Sequence, residues 1–385
     1  MELYIHIPFC VQKCRYCSFV SFPAEENTKN EYINVLLAEN RLRSEEYTEP
    51  VTTVYIGGGT PSLLSPNQMK RLLLGIRNTV SLEQVTEFTI EANPGMLTDS
   101  FLKSAAELGV NRISIGMQSA ETHLLQRLGR IHNLHDVIQS VAAARKYGFT
   151  NLNLDLIFGI PGQTADDWNH TLDTALSLSP EHISAYGLIP EEGTPLYESL
   201  MKKEIELPDV DDERKMYDMA IQKLRDHGLE QYEISNFAVK GFECKHNIGY
   251  WSHIPYIGLG VSASSLQIFS QPEGGITCCR KTNPFHYEEY IQSVKNQDNR
   301  AGFMEIVSPQ EARFETMMLG LRMNQGVSTD DFFRMHGRTV DECFGSRLRR
   351  MEKQGLVKFS NRHWSLTRRG MDIQNSVLVE LMDDE

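Results

Sequence analysis

Short apolar runs rich in β-branched residues alternate with amphipathic stretches of helical periodicity through roughly the first 200 residues. The apolar runs predict six strands, at residues 3–7, 52–56, 87–91, 111–116, 151–157 and 182–186. At least one predicted helix lies between successive strands; the first covers 30–46, and two others open with capping-box patterns at Ser65 and Thr164. Repeated β-then-α units with right-handed crossovers form either a doubly wound sheet or a barrel-like parallel sheet.

Polar residues at the ends of the predicted strands favour the barrel. Cys10 follows the first strand, the glycines at 57–59 follow the second, and Glu91, Gln118 and Asp155 lie at or just past the ends of the next three. The glycines lack side chains, so their backbone can approach a ligand closely. Any one of the carboxylates alone could be a helix cap or a turn residue. Because polar groups from successive strand ends meet at one mouth, we predict an α/β protein with an open, partial (β/α)6 barrel of the TIM type.

The pattern changes from Ser308 onward, and predicts a second, smaller domain. Helical periodicity covers residues 311–322, 329–335 and 340–354. An alternating pattern then predicts a hairpin at 356–359 and 363–366. Helices followed by a hairpin are typical of a winged-helix-like α+β domain, which raises DNA binding as an alternative function. The predicted domains are a barrel at 1–205, a barrel extension and connecting region at 206–305, and a C-terminal domain at 306–385.

The charge balance argues against DNA binding. Apolar residues make up 41% of the chain and charged residues 23%, as in ordinary globular proteins, but the net charge is -13. Nucleic-acid phosphates and an anionic membrane surface would repel such a chain, so we expect no nucleic-acid partner. The predicted C-terminal domain still contains basic residues that could form a face: Arg347, Arg349, Arg350, Arg368 and Arg369. The overall acidity favours a packing or lid role for this domain.

Membrane and secretion signals are not visible in the sequence. No apolar run is long enough to span a membrane, and no basic segment followed by an apolar one opens the chain, so we expect neither a membrane span nor a secretory signal. Seven cysteines, an odd number with three bunched together, do not indicate a disulfide framework. We therefore predict a cytoplasmic protein in a reducing compartment.

The three bunched cysteines, Cys10, Cys14 and Cys17, fall within eight residues. Thiolates with gaps of three and two residues can bind three irons of a 4Fe-4S cluster from one loop. The fourth iron then lacks a protein ligand and can accept an exogenous one. A zinc knuckle, a disulfide with a spare thiol and a chance cluster are the alternatives. Zinc structural sites usually need four ligands, however, and no second Cys/His pair lies close behind.

With these residues the chain resembles the radical S-adenosylmethionine (SAM) superfamily, whose signature is a C-x3-C-x2-C loop after the first strand of a partial barrel. Further stretches resemble the oxygen-independent coproporphyrinogen III dehydrogenases and their relatives, at 4–10, 57–62, 91–95, 116–119, 128–130, 155–162 and 232–236. The resemblance implies that SAM chelates the open iron and that the reduced cluster cleaves it to a 5′-deoxyadenosyl radical. It also implies a set of cofactor-binding residues: Tyr4, Tyr16, Gly58, Gly59, Thr60, Glu91, Gln118, Arg130 and Asp155.

Two features separate the branches of this group. The dehydrogenases carry a further cysteine two residues after the third, and this chain has Phe19 there. The chain also contains an H-N-x-x-Y-W motif at 246–251, and with Phe19 this motif resembles the heme-chaperone branch. The resemblance therefore implies a protein that binds heme and delivers it to an acceptor protein. Coproporphyrinogen III dehydrogenase is the alternative activity.

The motif also implies where heme binds. A histidine is a good axial ligand for heme iron, and Tyr250 and Trp251 offer flat apolar faces to a porphyrin. From the residues alone, a hydrogen-bonded histidine in a buried aromatic corner is the favoured interpretation. The family motif reverses that preference, so we expect heme at His246, with Cys244 as a second candidate ligand. Formation of a homodimer and the identity of the heme acceptor stay open.

Overall fold

Six parallel strands and their crossover helices form the larger part of the protein in a computed structural model, which describes residues 1–271, 275–298 and 301–382. The barrel strands are β1 (Glu2–Ile7), β2 (Thr53–Gly58), β3 (Glu87–Ala92), β4 (Arg112–Gln118), β5 (Leu152–Phe158) and β6 (His182–Gly187). The helices between them are α1 (Glu26–Leu42), α2 (Pro66–Arg77), α3 (Asp99–Glu107), α4 (Thr122–Leu128), α5 (Leu134–Lys146) and α6 (Ala165–Ser177). The strands pair in parallel in chain order, which confirms the predicted open (β/α)6 barrel.

Local capping explains where two of the helices begin. The side chains of Ser65 and Thr164 each accept a hydrogen bond from the backbone of the third residue of α2 and α6. The side chain of that third residue returns a bond to the cap, so both predicted capping boxes are present. The first helix lies four residues earlier than the predicted range of 30–46. It begins at Glu26 and ends at Leu42, and a 3-10 turn follows at Ser44–Glu46.

The barrel sheet continues on both edges through elements that the sequence pattern did not predict. They are α7 (Pro195–Met201), α8 (Val210–Asp226), β7 (Glu230–Gln231), β8 (Asn236–Ala238), α9 (Lys245–Trp251), β9 (Tyr256–Leu259), β10 (Ser264–Ser270), β11 (Ile276–Thr282), α10 (Tyr287–Lys295) and β12 (Phe303–Val307). β9 pairs in parallel with β1, and β10, β11 and β12 extend the sheet as antiparallel strands. On the opposite edge β8 runs antiparallel to β6. The full strand order is β12-β11-β10-β9-β1-β2-β3-β4-β5-β6-β8-β7.

A buried ion pair joins α1 to this extension. Glu39 accepts hydrogen bonds from the Gly260 N–H at 2.8 Å, the Tyr290 hydroxyl at 2.8 Å and the Asn283 side chain at 2.7 Å. Arg43, one turn later, donates to Glu39 at 3.3 Å and to a β9 carbonyl oxygen at 2.8 Å. A buried pair whose remaining donors and acceptors are also bonded recovers much of the cost of leaving water. The pair therefore sets where β9 and α10 lie against the barrel.

The C-terminal part folds around a core of its own. Its elements are α11 (Pro309–Gly320), β13 (Val327–Ser328), α12 (Thr329–His336), α13 (Val340–Lys353), β14 (Val357–Ser360), β15 (His363–Leu366), α14 (Arg368–Asp372) and α15 (Gln374–Leu381). The predicted hairpin is β14 with β15, and β13 adds a third strand. Phe332, Leu348 and Trp364 are among its buried apolar residues. The predicted domain boundaries stay predictions, and residues 383–385 of the last predicted domain lie outside the described ranges.

The basic residues of this part contact nearby acceptors. Arg349 pairs with Asp341 at 2.7 Å, and Arg350 pairs with a carboxylate of α15. Arg368 pairs with Asp218 of α8 and so links α14 to the barrel extension. These ion pairs are partly exposed, so each contributes less than about 1 kcal/mol. The Arg368 contact agrees with the packing role expected for this domain, and the absence of a nucleic-acid partner stays a prediction.

Two further sequence expectations concern membranes and cysteines. Among the residues that the structure describes, no helix combines the length and the apolar character needed to cross a membrane. All seven cysteines lie within the described ranges, and none of them forms a disulfide. The cysteines of the first loop are therefore available as metal ligands.

Replacing Glu39 by Ala should lower the free energy of unfolding by roughly 3–5 kcal/mol, because it leaves the buried Gly260 N–H and Tyr290 hydroxyl without their acceptor and removes one of the two carboxylates that pair with Arg43. Urea unfolding followed by circular dichroism measures the loss. Glu31→Ala, on the same helix, is the matched control: its ion pair with Lys295 at 2.7 Å is half exposed. An exposed pair contributes less than about 1 kcal/mol. Equal losses in the two variants would contradict a structural role for the buried pair.

Candidate functional site

The cysteine loop, residues 8–22, follows β1 and is held by backbone hydrogen bonds. The Cys10 N–H donates to the Phe22 carbonyl at 3.1 Å, and the Phe22 N–H donates back to the start of the loop at 2.8 Å. Further along, the Arg15 N–H donates at 2.9 Å to the Leu128 carbonyl at the end of α4. The loop is thus bonded both to itself and to the wall of the barrel, which limits the positions its three cysteines can take.

A cavity of about 440 Å³ at the barrel mouth is lined by all three cysteines, and we name it the cysteine cavity. Most of the predicted cofactor-binding residues line it as well: Tyr16, Gly58, Gly59, Glu91, Gln118, Arg130 and Asp155. Thr60 lies beside it, with its hydroxyl oxygen 3.5 Å from the Cys10 Sγ. The structure thus brings together side chains from β3, β4 and β5 and the backbone of β2 at one end of the sheet, as expected for a barrel mouth.

Two of the predicted cofactor-binding residues, Glu91 and Asp155, bring carboxylates to this cavity. Glu91 accepts hydrogen bonds from the Tyr55 hydroxyl at 2.8 Å and from the Gly58 N–H at 3.0 Å. Burial, reinforced by the charge of Asp155, raises the pKa of Glu91 to about 7. Asp155 accepts a hydrogen bond from the Ser114 hydroxyl at 2.8 Å. Carboxylates in these positions can bind the hydroxyl groups or the cationic groups of a ligand.

Arg130 supplies positive charge to the same cavity. Its guanidinium donates to the Asn93 side chain at 3.0 Å, to the Gly116 carbonyl at 3.1 Å and to the Cys14 Sγ at 3.6 Å. Its buried Nε has no hydrogen-bond partner among the described residues. A cation with a spare donor beside three cysteines suits both an anionic cluster and a ligand carboxylate. The donor set therefore fits a 4Fe-4S cluster with SAM on its open iron.

The glycine turn after β2 makes room for the protein itself. A Cβ on Gly59 would lie 2.8 Å from the Phe9 carbonyl oxygen, and a Cβ on Gly58 would overlap the His6 ring. Gly58 also has a φ of 109°, which residues with a side chain rarely adopt. We expected these glycines to let a ligand approach the backbone closely. In the structure, the absence of their side chains first makes room for the cysteine loop and for the His6 ring, so that expectation is incomplete.

Gln118 reaches the cysteine cavity from a strained backbone position. It is the last residue of β4 and has a φ of 62°, in the left-handed region. The pairing of β4 with β5 also shifts register between Ile115 and Gln118. A left-handed backbone costs a non-glycine residue about 1–2 kcal/mol. The surrounding packing must therefore hold Gln118 in this conformation, which directs its side chain to the cavity.

A second cavity, of about 530 Å³, shares Ser18 and Phe19 with the first. Aromatic side chains dominate its lining, and we name it the aromatic cavity: Tyr4, Phe19, Tyr250, Trp251, Tyr256 and Phe285. Tyr4, expected among the SAM-binding residues, lines this cavity rather than the cysteine cavity, with its hydroxyl 3.0 Å from His6 Nδ1. Phe19 is 61% exposed. Phe19, which stands where the dehydrogenases have a further cysteine, thus lies between the cysteine cavity and the aromatic cavity.

His246 is buried and lines neither cavity. Its Nδ1 lies 2.8 Å from the Thr53 hydroxyl, its Nε2 lies 3.0 Å from the Tyr250 hydroxyl, and its ring stacks on Tyr55. Burial lowers its pKa to about 3, so the ring is neutral. This is the hydrogen-bonded histidine considered as the alternative above. The geometry does not support His246 as a heme ligand unless the ring gives up one of these bonds.

Cys244, the second candidate heme ligand, is equally enclosed. Its thiol donates to the Glu87 carboxylate at 3.4 Å, and burial raises its pKa to about 12. Glu87 also accepts the N–H groups of Lys245 and His246, which begin α9. A thiol that keeps its proton is a poor metal ligand. Cys244 therefore belongs to the start of this helix rather than to a ligand site.

Sequence analysis missed several residues that shape the two cavities. Asn93 lies within the stretch 91–95 that carries the family resemblance, so the motif could have identified it. Tyr55, in the middle of a strand, is not distinguishable by pattern from an ordinary core aromatic. His253 and Arg280 line the aromatic cavity but come from the extension, where no strand had been predicted.

Gly58→Ala should destabilise the protein more than Gly228→Ala. Both positions have a positive φ, but only the Gly58 Cβ would overlap another side chain, whereas Gly228 faces open space. The additional loss at Gly58 should be about 1–3 kcal/mol, the usual cost of overpacking. Urea unfolding of the two variants measures it. Equal losses would indicate that backbone strain alone, not the contact with His6, requires glycine.

Cys14→Ala should remove the visible absorbance of the cluster and most of the bound iron after anaerobic reconstitution, because two thiolates cannot replace three. Absorbance and iron analysis measure this result. Cys343→Ala is the control, since Cys343 packs against the C-terminal core. A cluster that survives in Cys14→Ala, or is lost equally in Cys343→Ala, would contradict the assignment.

The comparisons with known proteins agree with this geometry. A model of the radical SAM superfamily matches residues 4–175, and a model of the HemN C-terminal domain matches residues 307–373. Among solved structures, coproporphyrinogen III oxidase (HemN) from Escherichia coli, described as a radical SAM enzyme, is similar with a TM-score of 0.83. It is 22% identical, and the match covers 99% of this chain and 89% of that chain. At that identity the likeness shows a shared fold.

Curated relatives match along almost the whole chain. The heme chaperone HemW of Bacillus subtilis (strain 168) is 39% identical over 376 residues, which cover 97% of each chain. The protein of the same name from Escherichia coli (strain K12) is 35% identical over 381 residues, covering 98% of this chain and 97% of that one. Together with the three-cysteine loop and the open barrel, these matches show that the chain belongs to the radical SAM superfamily and, within it, to the heme chaperone HemW family.

Proposed function

We propose that this protein binds heme and delivers it to an acceptor protein, and that it carries a 4Fe-4S cluster and SAM. The observation that carries the proposal is Phe19, which stands where the dehydrogenases that the chain resembles have a further cysteine. Relatives that are 39% and 35% identical and are named heme chaperone HemW support it.

On the cofactor side, the three cysteines of the loop would bind three irons of the cluster. Arg130 would bind the carboxylate of SAM, and Glu91 and Asp155 would bind its hydroxyl or cationic groups. When bound, the reduced cluster supplies the electron that cleaves SAM. These side chains lie at one end of the sheet, where the anchored loop keeps the three cysteines close together.

On the heme side, the aromatic cavity offers the kind of surface that a porphyrin requires. Large aromatic faces stack on a flat apolar macrocycle, and several of them line this cavity. Ser18 and Phe19 belong to both cavities. Two residues of the cysteine loop itself therefore lie between the proposed cluster site and the proposed heme site.

Oxygen-independent coproporphyrinogen III dehydrogenase is the second candidate function. The fold shared with E. coli HemN favours it, as does a cavity suited to a cluster and SAM. Such an enzyme would abstract hydrogen from the propionate side chains and release carbon dioxide. Phe19, which replaces the further cysteine of that branch, favours the chaperone instead.

The proposal also covers the cell compartment of the protein and its partners. The net charge of -13 supports a function without nucleic acid. Seven cysteines without a disulfide among them support a reducing, cytoplasmic compartment. A homodimer stays a prediction, to be tested by sedimentation. The acceptor protein is not predicted, and capture of heme from the loaded protein would identify it.

Anaerobically reconstituted protein should bind heme stoichiometrically, with a saturating Soret band, and should not convert coproporphyrinogen III to protoporphyrinogen IX. Absorbance titration and porphyrin chromatography on the same sample measure the two outcomes. E. coli HemN assayed alongside is the positive control for turnover. Conversion at the rate of that enzyme would overturn the chaperone proposal, and so would the absence of heme binding by the wild-type protein.

A further inference from the structure

A row of hydrogen-bonded polar side chains crosses the barrel interior behind the cysteine cavity. Ser114, Asn153 and His182 are register partners on β4, β5 and β6, and each is at most 2% exposed. Asp155 follows Asn153 by two residues, so both side chains lie on the same face of β5. Of these four residues, Ser114 and Asp155 line the cysteine cavity, whereas Asn153 and His182 do not. Asn153 and His182 therefore lie behind the carboxylate rather than against a ligand.

The carboxylate of Asp155 determines the orientation of the Asn153 amide. Asn153 Nδ2 lies 2.8 Å from Asp155 Oδ1 and 2.7 Å from the Ser114 hydroxyl oxygen. A carboxylate only accepts hydrogen bonds, so the amide must present its two N–H groups on this side. The Ser114 hydroxyl then donates its proton to Asp155 Oδ2, at 2.8 Å. Both oxygens of Asp155 are thus held by a donor.

The same orientation determines which nitrogen of His182 carries the proton. The oxygen of the Asn153 amide faces His182 Nδ1 at 2.6 Å, so Nδ1 must be the donor. Burial lowers the pKa of His182 well below its usual value, and the ring is therefore neutral. Its Nε2 accepts from the Tyr232 hydroxyl at 2.9 Å, and the Tyr232 oxygen accepts the Cys244 N–H at 3.3 Å. Every hydrogen bond from the start of α9 to Asp155 thus has a defined direction.

One other side chain contacts the oxygen of this amide. The Ser184 hydroxyl donates to Asn153 Oδ1 at 3.2 Å, a longer bond than the 2.6 Å bond from His182. A hydroxyl can also rotate toward another acceptor, whereas the His182 ring is buried and bonded at both nitrogens. His182 is therefore the donor that keeps the amide oxygen turned away from Asp155. Without it, the amide can turn over and place its oxygen against the carboxylate.

We propose that His182 is a positioning residue for SAM, which acts through Asn153 to hold the Asp155 carboxylate in the orientation that binds the cofactor. The inference rests on the proposed function, since it takes Asp155 as part of the SAM site. It also gives a role to Tyr232, which lies in a stretch that carries the family resemblance. Tyr232 joins His182 to the residue that precedes α9, and so links the SAM site to the helix of the H-N-x-x-Y-W motif.

Two variants of equal shape separate hydrogen bonding from packing. Leucine and asparagine have the same branched outline, but asparagine places an amide N–H where His182 has Nδ1–H. His182→Leu should weaken SAM binding about tenfold, the effect of one lost hydrogen bond, whereas His182→Asn should stay within about threefold of wild type. Equilibrium dialysis of labelled SAM against the anaerobically reconstituted full-length protein measures both, and bound iron and circular dichroism verify folding. Equal losses in the two variants, or wild-type affinity in His182→Leu, would overturn the inference.

A double-variant cycle tests whether His182 acts through Asp155. In an Asp155→Ala background, His182→Leu should change SAM affinity by less than about twofold, because the group that it positions is absent. Losses that add in the double variant would assign His182 to barrel packing alone and overturn the inference.

Asn153→Ala breaks the same link without altering His182. It should weaken SAM binding by about tenfold or more, since one oxygen of Asp155 loses its donor. Wild-type affinity in this variant would also overturn the inference. If the wild-type protein itself binds no SAM, the cofactor part of the proposed function fails first, and the two failures are thereby distinguished.

Discussion

The backbone contact between the cysteine loop and the glycine turn after β2 is the constraint on which both cavities depend. The Gly59 N–H donates to the Ile7 carbonyl at 2.8 Å, and the Thr60 N–H donates to the Phe9 carbonyl at 2.7 Å. This approach is available only because Gly59 has no Cβ. The contact places Cys10 next to the ends of β2 and β3. Without it, the cysteines and the polar strand ends would not share one cavity.

His6 extends that constraint to the other side of the loop. Its ring packs over Gly58, its Nδ1 lies 3.0 Å from the Tyr4 hydroxyl, and its Nε2 lies 2.9 Å from the Val20 carbonyl. One buried ring therefore contacts the glycine turn, a wall residue of the aromatic cavity and the segment just after Phe19. The two cavities are built on one connected set of contacts, which gives a physical route by which the contents of one could influence the other.

The barrel was predictable from the sequence because its determinants are local. Each strand is a short β-favouring run, and the helices that follow bury one face, so periodicity shows both; Ser65 and Thr164 mark helix starts within four residues. The extension was not predictable by the same means. β9 pairs with β1, which lies more than half the chain away, so the partner of β9 is not visible in its local sequence. β7 and β8 are too short to produce a recognisable pattern. The buried bonds between Glu39 and Asn283 are of the same long-range kind.

By itself the sequence determined the chemistry of the cysteine loop and the residues of the barrel mouth. The spacing of the three thiolates is set by their positions along the chain. The polar residues after successive parallel strands meet at one mouth wherever a barrel forms. Only the tertiary structure decided whether the histidine of the H-N-x-x-Y-W motif has a nitrogen available. His246 belongs to that recognisable motif, yet its ring is buried and Thr53 and Tyr250 occupy both of its nitrogens. Availability depends on neighbours distant in the chain, which a residue's type and spacing do not encode.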